Sequence, residues 1–406
     1  MKKSVVKSAE GSQRSVNLNS LGVISLLHYF VDSYASVFGP LVALARLDPA
    51  RIGILAMLYS ASTSFSQLAF GYLSDRLGSR RFVGLGLMTS AIALSVAGLL
   101  IERPMLLALV LVVGGLGVAA FHPAGAVLAA KSLPHSPTWG VSVFITTGTT
   151  GFALGPVLYV LFAEQYGLES TWWLMLPGLL VLPLLWVLPD SVVSVPSVSG
   201  DIRQRVQTFL TAHGPALMPI YVFVVVRSAV QISLTSFVPS IMLERGHPTT
   251  AAGLSAMCFS GAGALGMLVW GMLAGRCDRR LLQVISVVGG VPVSLLFLYA
   301  DDVSLPASLA LLSLAGFFIL STNTMHIVMG QELSPENAST ISSIVMGFGW
   351  GAGSAGPVIV GGLSQSWSLE LSLALVCLMP ALTLPLALFL RGRPLVSAAG
   401  GMRDEG

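Results

Sequence analysis

The chain of 406 residues is 54% hydrophobic and only 10% charged, with a mean hydropathy of +0.83 and a net charge of +3. Soluble chains of this length carry about a quarter charged residues, so this one cannot clothe itself in a hydrated surface, and a soluble globular enzyme is excluded. Its apolar content equally excludes disorder, and glycines scattered through apolar stretches suit membrane helices.

In chain order, the first feature is a polar N-terminal tail, 1–18, carrying Lys2, Lys3, Lys7 and Arg14. No short apolar region with a small-residue cleavage site follows it, so it is read as a cytoplasmic tail and not as a signal peptide. A bilayer-spanning helix needs about 20 mostly apolar residues. That ruler predicts spans at roughly 19–45, 52–73, 82–101, 105–130, 138–163 and 169–188. A polar linker, 189–213, separates these from six more, at roughly 214–243, 249–275, 282–300, 303–330, 339–363 and 369–390. The expected fold is an all-α membrane protein of twelve transmembrane helices in two six-helix bundles, 19–188 and 214–391. A cytoplasmic C-terminal tail, 392–406, ends it.

The basic residues test this count. With the N-terminus inside, 16 of the 21 lysines and arginines fall on the inner side. Arg46, Arg51, Arg103 and Arg245 fall outside, and Arg227 lies within a span. The positive-inside rule is met without moving any boundary. An inner membrane of a bacterial cell, with both termini cytoplasmic, is the expected location.

The two halves echo each other. Gly71-Tyr-Leu-Ser-Asp75-Arg76-Leu-Gly78-Ser-Arg80-Arg81 follows the second span, and Gly271-Met-Leu-Ala-Gly-Arg276-Cys-Asp278-Arg279-Arg280 follows the eighth. The fifth span carries Gly148, Gly151, Gly155 and Pro156, and the eleventh carries Gly349, Gly351, Gly353, Gly356 and Pro357. Pro156 and Pro357 share one offset with Pro134 and Pro335, which follow the fourth and tenth spans. Parallel duplication of a six-helix unit is a transporter arrangement, with substrate between the halves.

These residues carry a resemblance. GYLSDRLGSRR resembles the loop signature of the major facilitator superfamily, and the Gly148–Pro156 stretch resembles the fifth-helix motif of drug-efflux antiporters. His28-Tyr-Phe-Val-Asp32 and Phe121-His122-Pro123 are similar to the fosmidomycin-resistance group within it. The resemblance implies two bundles in alternating access and a proton-driven pump exporting a toxic compound. It also implies a gating latch built on Gly71, Asp75, Arg76, Gly78 and Arg80, with Asp75 bonding to the neighbouring bundle. The second loop motif departs from the pattern: Arg276-Cys277 intrudes, and the glycine expected after the acid and arginine is missing.

Charges inside a bilayer cost about 2.5–3.5 kcal/mol each, so they mark function by default. Asp32 in the first span and Arg227 in the seventh are the two deep ones. His28 lies one helical turn before Asp32 on the same face. His122 in the fourth span is a third titratable group, and Asn323 stands at its repeat position. Asp32 is read as a proton carrier with His28 or His122 sharing the proton, because histidine titrates near neutrality. Arg227 would attract an anionic substrate group, with Gln231 on its face and Gln67 and Asn323 as further polar cavity groups. The alternative is a fixed Asp32–Arg227 pair, with the histidines, His326 included, merely bonded to backbone carbonyls. Small residues one turn apart at Gly148, Gly151 and Gly155 let helices approach closely.

Cys258, Cys277 and Cys377 stand singly, so neither a disulfide framework nor a metal site is expected. There is no GxxxxGK[ST] loop, HExxH or GxSxG, so neither ATP nor an enzymatic reaction is indicated, and no cofactor is expected beyond a proton gradient. Arginines do not alternate with aromatics on a polar face, which leaves nucleic-acid binding unsupported. The expected partners are a small-molecule substrate, protons and the lipid bilayer, with the chain acting as a monomer. A proton symporter or uniporter importing a metabolite is the alternative transporter, and a non-transporting membrane sensor ranks last.

Overall fold

A computed structural model describes residues 18–189, 202–300, 303–333 and 343–390. The two tails, Asp201 and the Ser334-Pro335 turn expected from the repeat lie outside the described residues. The elements are α1 (Leu18–Ala35), α2 (Phe38–Leu44), α3 (Pro49–Leu77), α4 (Ser79–Val96), α5 (Pro104–Ser132), α6 (Pro137–Tyr166), α7 (Met175–Leu180), α8 (Ile202–Glu244), α9 (Thr250–Leu273), α10 (Arg279–Tyr299), α11 (Leu305–Ser321), α12 (Asn323–Leu333), α13 (Gly349–Gly353), α14 (Ala355–Leu363) and α15 (Leu369–Thr383). Among the described residues there is no strand.

Prolines set several of these boundaries. Pro49, Pro104 and Pro137 open α3, α5 and α6, where a missing N–H costs nothing. Pro40 cannot donate to the Ser36 carbonyl, and the first span breaks at Ser36–Val37 into α1 and α2. Pro177 and Pro183 lie in the sixth span, Leu168–Val187, much of which is wound as tighter 3-10 helix.

Eleven helical segments among the described residues are long and apolar enough to cross a membrane. The expected second span is the exception. It forms α3, 29 residues long, but its centre reads Ser60-Ala-Ser-Thr-Ser-Phe-Ser-Gln67. Two of its hydroxyls, Ser62 and Thr63, donate back to the Tyr59 carbonyl at 2.7 and 3.0 Å, so the polar stretch is partly satisfied within the helix itself. The twelve-helix fold therefore stands, with one span more polar than the other eleven. Large side chains such as Leu109, Leu268, Val288 and Leu382 are exposed on the outside, as expected where lipid is the solvent. Helix α8 already runs from Ile202, so part of the polar stretch 189–213 is helical ahead of the apolar segment His213–Glu244.

Two compact units make up the chain. One comprises residues up to 198 together with Leu234–Met257, and the other comprises 199–233 and everything from Cys258. Close backbone packing explains why the end of α8 and the start of α9 belong to the first unit. A Cβ at Gly39 would overlap the Thr235 carbonyl, and one at Gly253 would come within 2.8 Å of Pro156 and Val157 backbone atoms. Ala43, Val160 and Ala252 complete that contact as a small buried cluster.

The loop repeat is visible in three dimensions, with one correction. Arg80 donates to the Leu188 carbonyl at 3.3 Å, and Arg280 donates to the Leu390 carbonyl at 2.8 Å. Counted from these helix starts, Asp278 stands where Gly78 stands and not where Asp75 does. Gly78 turns the chain between α3 and α4 with φ of 101°, a conformation that favours glycine. Asp278 instead caps α10 through its side chain, accepting from the Arg280 amide at 2.8 Å.

Next to that cap, Arg279 is buried and forms a two-pronged ion pair with Glu332 of α12, at 2.5 and 2.8 Å. Glu332→Ala should lower stability in detergent by about 2–3 kcal/mol, less than for a fully buried pair because Glu332 is 27% exposed. Replacing both residues with apolar ones, Arg279→Met with Glu332→Leu, should recover most of the loss. Thermal unfolding checks this: a double variant as unstable as the single would show that the ion pair itself, not the orphaned charge, sets the cost.

Candidate functional site

In the first unit, α1, α5 and α6 meet around Asp32. His122 of α5 places Nε2 at 3.0 Å from Asp32 Oδ1, and its Nδ1 donates to the Val118 carbonyl one turn back at 2.8 Å. His28 of α1 places Nε2 at 3.2 Å from Asp32 Oδ2, too far off-line for a hydrogen bond, while its Nδ1 donates to the Phe144 carbonyl of α6 at 2.7 Å. The His28 ring stacks on Phe144 at 3.8 Å and meets His122 edge-on at 5.1 Å. Exposure falls along the cluster, from 29% at His122 to 13% at Asp32 and 4% at His28. Among the described residues, these three form the one group whose ligating atoms, all within 4.8 Å of one another, could share a single cation.

The fifth-span glycines make this meeting possible. A Cβ at Gly148 would overlap the His28 ring and lie 2.6 Å from Asp32 Oδ2. One at Gly151 would overlap the Tyr29 carbonyl, and one at Gly155 would overlap the Ser33 carbonyl. Helix α6 is therefore pressed against α1 backbone to backbone at the level of the cluster. Pro156 follows inside the same helix.

The second unit holds the opposite charge. Arg227 of α8 is buried, and its Nη1 donates to Gln231 Oε1 at 2.8 Å. Its Nη2 donates to Ser228 Oγ at 3.2 Å and to Asn323 Oδ1 of α12 at 3.1 Å. The guanidinium carbon stands 5.7 Å from the Trp350 ring centroid, and Nε has no partner. All of these partners are neutral. Among the described residues no carboxylate pairs with Arg227, which leaves a full positive charge available to an anion. A small cavity beside it is lined by Gln283, Ser286, Thr322 and Thr383 among others, and Gln283 Oε1 is buried without a partner.

The two sites obey the sequence repeat. His122 and Asn323 occupy the same position in the two halves, and each touches the charged residue of its half's first span: Asp32 in one, Arg227 in the other. Of the remaining expected residues, Gln67 and Asp75 join neither cluster, whereas His326 stands near enough to Arg227 for its charge to act on the ring. Gln67 is half-buried on α3 and makes no hydrogen bond among the described residues. Half-buried Asp75 likewise has no partner among them; its neighbour Arg76 lies over the Tyr72 ring at 4.2 Å, and Arg80 lies over Trp186 at 5.3 Å. Gly71 faces Pro123 of α5, 3.6 Å from where its Cβ would be. His326 does not bond a carbonyl as expected: it is fully buried, stacked on Phe223, and neither ring nitrogen has a partner. Sequence reasoning missed Phe144 and Trp350. Trp350 sits in the Gly349–Gly351 run already recognised as a repeat motif, which was the available signal.

Fold and site together define a polytopic membrane transporter built from two repeated halves, each with a charged residue inside its first span. The chain belongs to the Major Facilitator Superfamily, whose family profile matches residues 21–357 and 222–404. It is 24% identical over 387 residues to the fosmidomycin resistance protein of Escherichia coli (strain K12), covering 92% of this chain and 93% of that one. An uncharacterized MFS-type transporter of Bacillus subtilis (strain 168) is 23% identical over 372 residues, covering 89% and 90%. Among solved structures, the nucleoside transporter NupG matches with a TM-score of 0.73 at 15% identity, over 92% of this chain and 98% of that one. A D-xylose-proton symporter matches with a TM-score of 0.72 at 15% identity, over 91% and 97%. At such identities these structures establish the fold alone.

Proposed function

We propose that this transporter is a proton-coupled exporter of a small anionic toxic compound, working by alternating access in a bacterial inner membrane with both termini cytoplasmic. The observation that carries the reading is the separation of roles between the charges of the first and seventh spans. Asp32 is surrounded by two titratable imidazoles, a setting for taking up and releasing protons. Among the described residues Arg227 donates its hydrogen bonds to neutral groups, a setting for a carboxylate or phosphonate. The fifth-helix glycines of the antiporter type favour export over import, and so does the relative with a resistance function. Gln231 and Asn323 would orient the bound anion, while Asp75, Arg76 and Arg80 would latch one state of the cycle.

The alternative, a proton symporter or uniporter importing a metabolite, uses the same fold and the same charges. Everted vesicles separate the two. Fosmidomycin, as a phosphonate probe, should collapse a pre-formed proton gradient when added outside energised vesicles that contain the protein. Uptake with no change in the gradient would indicate uniport and overturn the antiport reading.

A further inference from the structure

The cavity beside Arg227 lies wholly within the second unit, between α8, α10, α15 and the end of α11, and measures about 20 Å³. A cavity needs about 10–15 Å³ to hold a water, and the water needs polar partners, so this one has room for a single molecule. The partners are on its walls. Arg227 and Gln283, 5% and 4% exposed, both line it, and each brings a buried polar atom without a partner among the described residues. For Arg227 that atom is Nε, a donor, since Nη1 and Nη2 already donate to Gln231, Ser228 and Asn323. For Gln283 it is Oε1, an acceptor. The Ser286 and Thr383 hydroxyls, also on the wall, donate to the Phe318 and Pro380 carbonyls at 2.6 and 2.7 Å and keep lone pairs as further acceptors.

This donor and these acceptors select the occupant. An anion would meet the Gln283 oxygen, with the Ser286 and Thr383 protons already committed. A cation would meet the guanidinium charge. Water accepts and donates at once. We infer that one buried water sits in this cavity, accepting from Arg227 Nε and donating to Gln283 Oε1 and to the hydroxyl oxygen of Ser286 or Thr383. The unpartnered nitrogens of His326 do not compete for it, because His326 stacks on Phe223 and is not itself on the wall. Gln283 thereby becomes a positioning residue. Through the water it holds one edge of the guanidinium and leaves the Nη edge, beside Gln231 and Asn323, to the substrate. A long side chain fixed in advance loses less freedom when its ligand arrives. The positioning role rests on the anion-binding reading proposed above; the water itself does not.

Nitrogen-15 NMR of arginine-labelled full-length protein in lipid nanodiscs tests this, with Arg227 assigned as the signal missing from Arg227→Lys. Its Nε–H should show a cross-peak to a long-lived water, unchanged when gluconate replaces chloride in the buffer. Gln283→Met keeps the length of the side chain and removes its oxygen, so it should abolish that cross-peak. It should also weaken fosmidomycin binding roughly 2- to 10-fold, the worth of one ordinary hydrogen bond, while leaving a neutral ester of the same probe almost unaffected. General damage to the fold would weaken both ligands alike. If the variant fails to fold, through-space contacts from the same water to the Gln283 side chain in the wild type still decide. No water at Arg227 Nε in the wild type overturns the inference, and so does a signal that moves with chloride, which would put an ion there. A cross-peak that survives Gln283→Met, or equal loss for the ester, removes Gln283 from the positioning role. The two readings fail separately. A wild type that shows the water but binds no phosphonate sinks the proposed function, and one that binds phosphonate without the water sinks this inference alone.

Discussion

Asp32→Asn should abolish substrate-driven proton movement in everted vesicles while leaving the protein folded and inserted. The asparagine amide fills the same space and can donate to one histidine, so the cluster keeps its packing but loses the group that accepts charge. Coupling free energies of about 1–3 kcal/mol correspond to roughly 5- to 150-fold effects, so coupled transport should fall by that range or more. Downhill movement of substrate should persist, because the Arg227 site lies on other helices with its own partners. Proton movement at the wild-type level in this variant would remove Asp32 from the coupling mechanism. His28→Gln makes an informative companion, since His28 is the most enclosed of the three and its ring also stacks on Phe144.

The second large effect is expected at Arg227. Hydrogen bonds to charged groups contribute about 1.5–3 kcal/mol, so Arg227→Ala should weaken an anionic substrate roughly 10- to 100-fold. A neutral analogue of the same shape should lose far less. Gln231, Ser228 and Asn323 are neutral and can bond one another once the guanidinium is gone, so the fold should tolerate the change. Arg227→Lys should fall between, because a lysine keeps the charge but not the fork that reaches Gln231 and Asn323 at once. Binding measured for a phosphonate and its neutral ester decides the matter. Equal loss for both would reassign Arg227 to holding α8 and α12 together.

These two residues stand out because the bilayer makes charge expensive, and that expense is legible without coordinates. Twenty-residue apolar runs, the sorting of arginines and lysines by side, and the common offset of Pro156 with Pro357 are local or additive properties of the chain. They suffice for a duplicated helical membrane transporter with Asp32 and Arg227 as the charges deep inside its spans. The same offset already paired His122 with Asn323.

What each of those residues touches was not legible. Sequence spacing predicted that His28 shares a face with Asp32, but not that Phe144 and Val118 hold the two imidazoles in one tautomer. It marked Gly148, Gly151 and Gly155 as packing residues, but not that they press α6 onto the Asp32 site itself. It matched Asp278 to Asp75, whereas the helix starts put Asp278 in the place of Gly78 as a cap. Arg279, counted as one more positive charge on the inner side, turned out to be buried against Glu332. The physical reason is common to all of these. Hydropathy and helical period are set by neighbours along the chain, so composition and spacing determine which segments are helices and which charges lie inside. Hydrogen bonds and close backbone contacts depend on how separate helices rotate and approach, and only the tertiary structure decided those.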